Sequence, residues 1–235
     1  MISIPLFLTH EHNCSYLDGK IARSAFVHPS CHLTSELYAQ LIRQGFRRSG
    51  DEVYKPYCRQ CAACLPSRLV ASQFVPNRRQ QRCWKKNSNT QVIVKPPVFE
   101  QAHYDMYLRY QTTRHGDGDM AHSSPDDYIG FLSSSWCDTQ FVEFSIDSEL
   151  AAVAVIDQFE DAWSAVYTFF EPKFSGYSLG AYAVLWQIGQ LQKRQREFLY
   201  LGFWIKACKK MAYKSDYQPM QLLIDNQWIA YQEGM

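Results

Sequence analysis

Residues 139–203 read TQFVEFSIDSELAAVAVIDQFEDAWSAVYTFFEPKFSGYSLGAYAVLWQIGQLQKRQREFLYLGF. Three apolar, β-rich runs, Thr139 to Ile146, Leu150 to Ile156 and Trp163 to Phe170, are set apart by the polar pairs Asp147-Ser148 and Glu160-Asp161. Gaps that short join neighbouring strands, so the runs predict an antiparallel meander. From Ser178 to Gln192 the apolar residues Leu179, Tyr182, Ala183, Trp186 and Leu191 recur at helical spacing, behind Pro172 and Gly176. Phe198 to Phe203 returns to a strand pattern.

Meander, helix, strand predicts an α/β (α+β) core whose helix starts at a glycine-containing loop. That order suits an acetyltransferase-like (GNAT-like) carboxy-terminal domain, and spacing alone leaves other mixed folds open. Upstream, Gln91 to Val94 reads as a strand and Phe99 to Thr113 as a helix with Tyr104, Tyr107 and Leu108 inward. Arg114 to Met120 is too polar and glycine-rich to be regular, and Ser124-Pro125-Asp126-Asp127 opens a capped helix. Pro96-Pro97 marks the expected boundary between a smaller domain, residues 1–95, and a larger one, residues 96–235.

The smaller part carries the unusual charge. From Tyr54 to Asn87 there are eight basic residues (Lys55, Arg59, Arg68, Arg78, Arg79, Arg82, Lys85, Lys86) and no carboxylate. The chain has 24 basic and 23 acidic residues, so outside this stretch 16 face 23. A net charge of +1 thus conceals a segment at +8 on a remainder at −7, and a local positive field of that kind attracts polyanions such as a nucleic-acid backbone. Asn77 can cap a helix whose Arg78, Arg82, Lys85 and Lys86 share one side without the i,i+4 acidic partners of an ordinary solvated face. Arg68 to Phe74 reads as a strand before it. A short capped helix at residues 34–44 places Arg47 and Arg48 near its negative end.

Eight cysteines and no basic, cleavable leader at the amino end predict a cytoplasmic protein whose thiols stay reduced. No window reaches the roughly 20 apolar residues of a membrane span. Cys58, Cys61 and Cys64 share one loop between Pro56 and Pro66, with Cys14 as a fourth thiol, a set suited to Zn or an iron-sulfur cluster. Reduced cysteines packed in a small domain are the alternative. Cys31, Cys83, Cys137 and Cys208 stand alone and read as small buried hydrophobes.

Several strings, in order over nearly the whole chain, resemble one family: Asn13-Cys-Ser-Tyr-Leu17, Ala22-Arg23, Gly45-Phe-Arg-Arg-Ser-Gly50, residues 54–66, Arg78 to Asn87, Tyr167 to Pro172, Ser178-Leu-Gly-Ala-Tyr182, Tyr200 to Ile205 and Lys210 to Lys214. They resemble the bacterial aspartate/glutamate leucyltransferases, relatives of the arginyl-tRNA–protein transferases. The resemblance implies transfer of leucine from leucyl-tRNA to proteins with amino-terminal Asp or Glu, tagging them for degradation by the N-end rule. It implies a GNAT-like transferase domain, and neither membrane nor DNA as partner. The loop 173–180 departs from the acetyl-CoA pattern at Lys173 and Ser178, which argues against coenzyme A.

An aminoacyl ester is already activated, so no cofactor is required for the chemistry, and no Ser or Cys nucleophile elbow appears. The protein must hold a neutral amine against the ester carbonyl and stabilise the oxyanion. The catalytic candidates are Tyr213 and Ser178. Candidates for the acceptor substrate are Arg23, Lys210 and Lys214, with Tyr200 and Trp204, although the aromatics fit core packing equally well. Phosphate contacts are assigned to Lys55, Arg78, Arg79, Arg82, Lys85 and Lys86. Arg114 and His115 are further candidates for the cleft lining. A non-catalytic zinc-knuckle RNA-binding protein and an N-acetyltransferase are the competing readings.

Overall fold

The computed structural model describes residues 4–115 and 119–234. In chain order the strands are β1 (Leu6–Leu8), β2 (His12–Asn13), β3 (Ile21–Ala22), β4 (Ser24–Val27), β5 (Arg47–Ser49), β6 (Glu52–Pro56), β7 (Leu65–Val70), β8 (Gln91–Lys95), β9 (Thr139–Ile146), β10 (Glu149–Gln158), β11 (Ala162–Phe170), β12 (Phe198–Trp204), β13 (Met220–Ile224) and β14 (Gln227–Ala230). The helices are α1 (Ser35–Arg43), α2 (Arg78–Lys86), α3 (Gln101–His115), α4 (Pro125–Leu132), α5 (Leu179–Lys193) and α6 (Lys209–Ala212).

The meander forms as its turns dictate. Asp147 and Ser148 both take positive φ, 50° and 66°, the two-residue turn whose twist matches a right-handed hairpin. Strands β8 to β14 with β7 make one eight-stranded sheet in the order β14-β13-β7-β12-β11-β10-β9-β8. Strands β7 and β8 come from before residue 96 and the other six from after it. Side chains alternate along β10: Ala152, Ala154 and Ile156 pack with α5, while Val153 and Val155 pack with residues of α3 and α4 on the other face. Each fully buried side chain of Val or Ile size stabilises the fold by about 1.5–3 kcal/mol. The mixed α/β architecture with its meander, helix and strand is therefore present.

A second sheet, β1-β4-β6-β5, packs with α1 against the end of the large one, burying Val27, Tyr38, Leu41, Phe46 and Val53 with Phe159, Ala162 and Tyr200. Arg47 and Arg48, expected beside the negative end of α1, instead lie on β5, and their guanidinium groups reach into the large sheet. Arg48 is fully buried and holds Asp157 through two bonds of 2.8 and 2.6 Å. Its remaining donors meet the carbonyls of Leu132, Ser133 and Gly50. Gly50 (φ +59°) approaches so closely that a Cβ there would lie 2.2 Å from the Gly130 carbonyl oxygen. Pro66, expected to bound the cysteine loop, lies inside β7, and residues 71–73 form a single 3-10 turn rather than more strand. The helix α3 runs through Arg114 to His115, past the expected end. Among the described residues no helix is long and apolar enough to cross a membrane.

Candidate active site

Two features of the large sheet create the site. The parallel strands β11 and β12 pair only from Ala162 to Ser164 against Phe198 to Tyr200, then diverge. Where they part, Arg47 takes the place of ladder bonds: Nη1 donates to Ser164 Oγ at 2.8 Å and Nη2 to the Ala165 carbonyl at 2.9 Å. Its guanidinium lies on Gly202 of β12, where a Cβ would stand 3.4 Å from Cζ, Nε and Nη2. Gly202 adopts φ +79° next to a register shift in the β12–β7 ladder, a conformation that costs glycine little.

Tyrosines line the opening. Tyr213 is 49% exposed, yet surrounding protein desolvates it enough to raise its phenol above the ordinary value, with Tyr110 and Arg47 within electrostatic reach. An accessible ring so closely surrounded sits in the wall of a cleft. Tyr16 is 43% exposed and is pushed up to about 12 by the same desolvation, with Tyr54, Cys64, Cys208 and Cys14 near it. Burial also raises Tyr167, which feels Tyr110 and Tyr16 and accepts a 2.8 Å bond from Gln111 Nε2. Lys214 is buried; its Nζ donates to the Phe203 carbonyl and contacts Met211 Sδ. Desolvation first, and Arg47 second, bring Lys214 down to about 7.

The second feature is a cavity of about 310 Å³ lined by Arg79, Arg82 and Lys86 from α2, Ser178 and Ala181 at the start of α5, and Asp216 and Tyr217. Asn77 and Gln80 form a reciprocal capping box that fixes the start of α2, and Gln80 Nε2 also ties to the Asp216 carbonyl at 3.0 Å. Ser178 has φ 56°, and no side chain caps α5. Lys86 donates to the Gly176 carbonyl at 2.7 Å, and Arg79 is 3.4 Å from Asp216 with 80% of its side chain exposed. Buried Tyr217 lines the cavity and lies within electrostatic reach of both Tyr213 and Arg79.

The remaining sequence candidates are placed as follows. Arg78, Arg82 and Lys85 are exposed on α2. Lys55 Nζ stands 4.6 Å over the Phe46 ring. Arg23 donates to the Tyr57 carbonyl at 3.2 Å and faces its ring. Lys210 is exposed on α6. Tyr200 and Trp204 are buried, the first against Trp228 and the second against Tyr231. Arg114 lies over the Phe170 ring, while the His115 side chain is outside the described residues. Sequence reasoning overlooked Arg47 as a cleft residue, and Tyr16, Tyr54 and Tyr167 with it. The string Gly45-Phe-Arg-Arg-Ser-Gly50 held the signal.

Cys58, Cys61 and Cys64 occupy the β6–β7 loop. Burial pushes the Cys64 thiol up to about 12, with Cys14, Cys58, Cys61 and Cys208 as electrostatic neighbours. Tetrahedral zinc holds four sulfurs, each about 2.3 Å from the metal. Among the described residues no three cysteine sulfurs lie within 4.8 Å of one another. Of the lone cysteines only Cys208 is buried; Cys31, Cys83 and Cys137 are partly exposed, and Cys83 lines the α2 cavity. The closest group of metal-type ligands, Glu100, His103 and Glu143, is bridged by Lys95, 3.0 Å from Glu100 and 2.7 Å from Glu143.

Residues 12–82 match the family model for the amino-terminal part of arginine-tRNA-protein transferase, and residues 102–224 match the model for its carboxy-terminal part. The chain belongs to the arginine-tRNA-protein transferase family. It is an enzyme of aminoacyl transfer, taking aminoacyl-tRNA and protein as substrates. Relatives of this transferase include proteins named aspartate/glutamate leucyltransferase. One from Saccharophagus degradans is 45% identical over 97% of both chains, and one from Pseudomonas fluorescens (strain Pf0-1) is 45% identical over 96% of both. A solved structure, L-PGS from Bacillus licheniformis, aligns with a TM-score of 0.44 at 12% identity, covering 72% of the transferase and 51% of that chain.

Proposed function

We propose that this transferase moves leucine from leucyl-tRNA to the amino terminus of proteins beginning with Asp or Glu, marking them for N-end-rule degradation in the cytoplasm. The observation that carries it is the identity of 45% along essentially the full length to chains of that name. The cavity supports it: Arg79, Arg82 and Lys86 offer cations for phosphates of the RNA end, beside Ser178 and one turn away from Tyr213. The α-amine of the acceptor attacks the ester carbonyl carbon as its N–C bond forms. The ester C–O bond breaks, the ribose oxygen leaves, and it takes the proton that the amine gives up. Tyr213, in the cleft wall, is placed to donate to the developing oxyanion or the leaving oxygen. Arg47 favours the neutral form of an amine brought near it, since like charges repel.

Incubating the protein with leucyl-tRNA labelled in its leucine and a peptide beginning with Asp tests the reading. Label should pass to the peptide and not to one beginning with acetylated Asp. Absence of transfer from leucyl, arginyl and phenylalanyl donors alike would overturn it. For the cysteines the proposal is a metal site, zinc or an iron-sulfur cluster, on Cys14, Cys58, Cys61 and Cys64. Cys14, Cys58 and Cys61 all lie within electrostatic reach of Cys64, which supports it. The transfer chemistry does not use it, and zinc, iron and sulfide analysis of anaerobically purified protein decides it.

A further inference from the structure

We infer that Arg47 is the residue that recognises the acidic side chain of the acceptor's first residue, through its guanidinium at the divergence of β11 and β12. This rests on the proposed acceptor class. Among the described residues Arg47, which is partly exposed, takes part in no ion pair. Its neighbour Arg48 shows the contrast: it is saturated by Asp157 and four oxygens besides. Of the five N–H groups on the Arg47 guanidinium, the Ser164 hydroxyl and the Ala165 carbonyl take one each and are both uncharged. The charge is thus held in place but not neutralised.

Everything around that charge suits a carboxylate brought from outside. Within electrostatic reach of it are the phenols of Tyr38, of Tyr54, its cross-strand partner, and of Tyr213, and the amine of Lys214. None of these is an acid that would compete for it. Gly202, having no Cβ, lets the guanidinium lie directly on β12, where a side chain would press on it at 3.4 Å. A fork of N–H donors matches a carboxylate in two bonds, which an amide of the same shape cannot reproduce. The other cations proposed for this role are placed differently: Lys214 spends its bonds on Phe203 and Met211, and Arg23 on Tyr57.

The test compares kcat/KM for peptides that begin with Asp and with Asn, identical otherwise, using leucyl-tRNA. The unmodified protein must first transfer leucine to the Asp peptide; if it does not, the proposed function fails and not this inference. Given that activity, Arg47→Gln should cut the Asp-over-Asn ratio on the order of 10- to 100-fold, the value of a charge-assisted bond. A merely structural strut would lower both rates together and leave the ratio alone, and that result overturns the inference. Arg47→Lys, which keeps the charge and loses the fork, covers the case in which the glutamine variant does not fold. In it the ratio should fall several-fold, and an unchanged ratio overturns the inference equally.

Discussion

Two adjacent arginines on β5 divide between stability and function by what each guanidinium meets. Arg48 is sealed with Asp157, and Thr139 donates to the same carboxylate at 2.8 Å. A buried pair of this kind adds little over a hydrophobic pair, but removing one partner strands the other charge. Arg48→Met should therefore destabilise the protein by about 3–5 kcal/mol, measured as a lower urea midpoint, while Arg47 variants should change unfolding far less. Lys214 supplies the pH-dependent counterpart. Its folded value is about 7, below the ordinary 10.5. Below about 7 both states hold the proton. Between there and 10.5 the unfolded chain binds it and the folded one does not, so this group adds stability as pH rises. The full span is worth on the order of 5 kcal/mol. Lys214→Met should lose that increment, seen as a flatter rise in unfolding free energy than the unmodified protein shows between pH 7 and 10. Equal slopes would mean that the amine is charged when folded.

At the scale of elements, α2 was legible because its signals are local. Asn77 as cap and a run of cations without acids needed no tertiary knowledge, and Asn77 caps the helix as read, with Gln80 completing a capping box that went unread. Asn77→Ala should cost about 0.5–2 kcal/mol and weaken tRNA binding by loosening the helix that carries Arg79, Arg82 and Lys86. Filter binding against urea melts of the same variant separates the two effects. The meander and α5 were legible for the same reason. The amino-terminal strands were not: β1, at the edge of the second sheet, and β2 and β3, a two-stranded sheet of their own, are two or three residues long and mostly exposed, so no alternation marks them. The insertion of β7 between β12 and β13 is a pairing across more than 120 residues, which no local pattern encodes. The β13–β14 hairpin had a readable turn in Asp225-Asn226, both at positive φ, which went unused. The cleft escaped because it is made by the absence of ladder bonds between β11 and β12, and Arg47 reveals its place only when both strands are present.

For the whole molecule, the +8 segment on a −7 remainder is an argument about encounter. Three of the five cations of α2, Arg79, Arg82 and Lys86, line a cavity beside Ser178, which concentrates positive charge on that face. The acidic remainder repels RNA elsewhere and steers it to that face. Binding through phosphates displaces counterions, so the logarithm of the affinity should fall linearly with the logarithm of salt, by about 0.7–0.9 per contact. For the transfer reaction this places the salt effect in the KM for leucyl-tRNA, while kcat at saturating tRNA should hardly move, because forming the amide from a neutral amine changes no net charge. Replacing Arg79, Arg82 and Lys86 together by Ala should weaken tRNA binding and reduce the salt slope by about 2–3, with the Asp-over-Asn preference at the acceptor unchanged. Weaker binding with an unaltered slope would mean that these side chains touch something other than phosphate. The cavity would then belong to the ester or the terminal base, and the phosphates would have to run along the exposed Arg78 and Lys85.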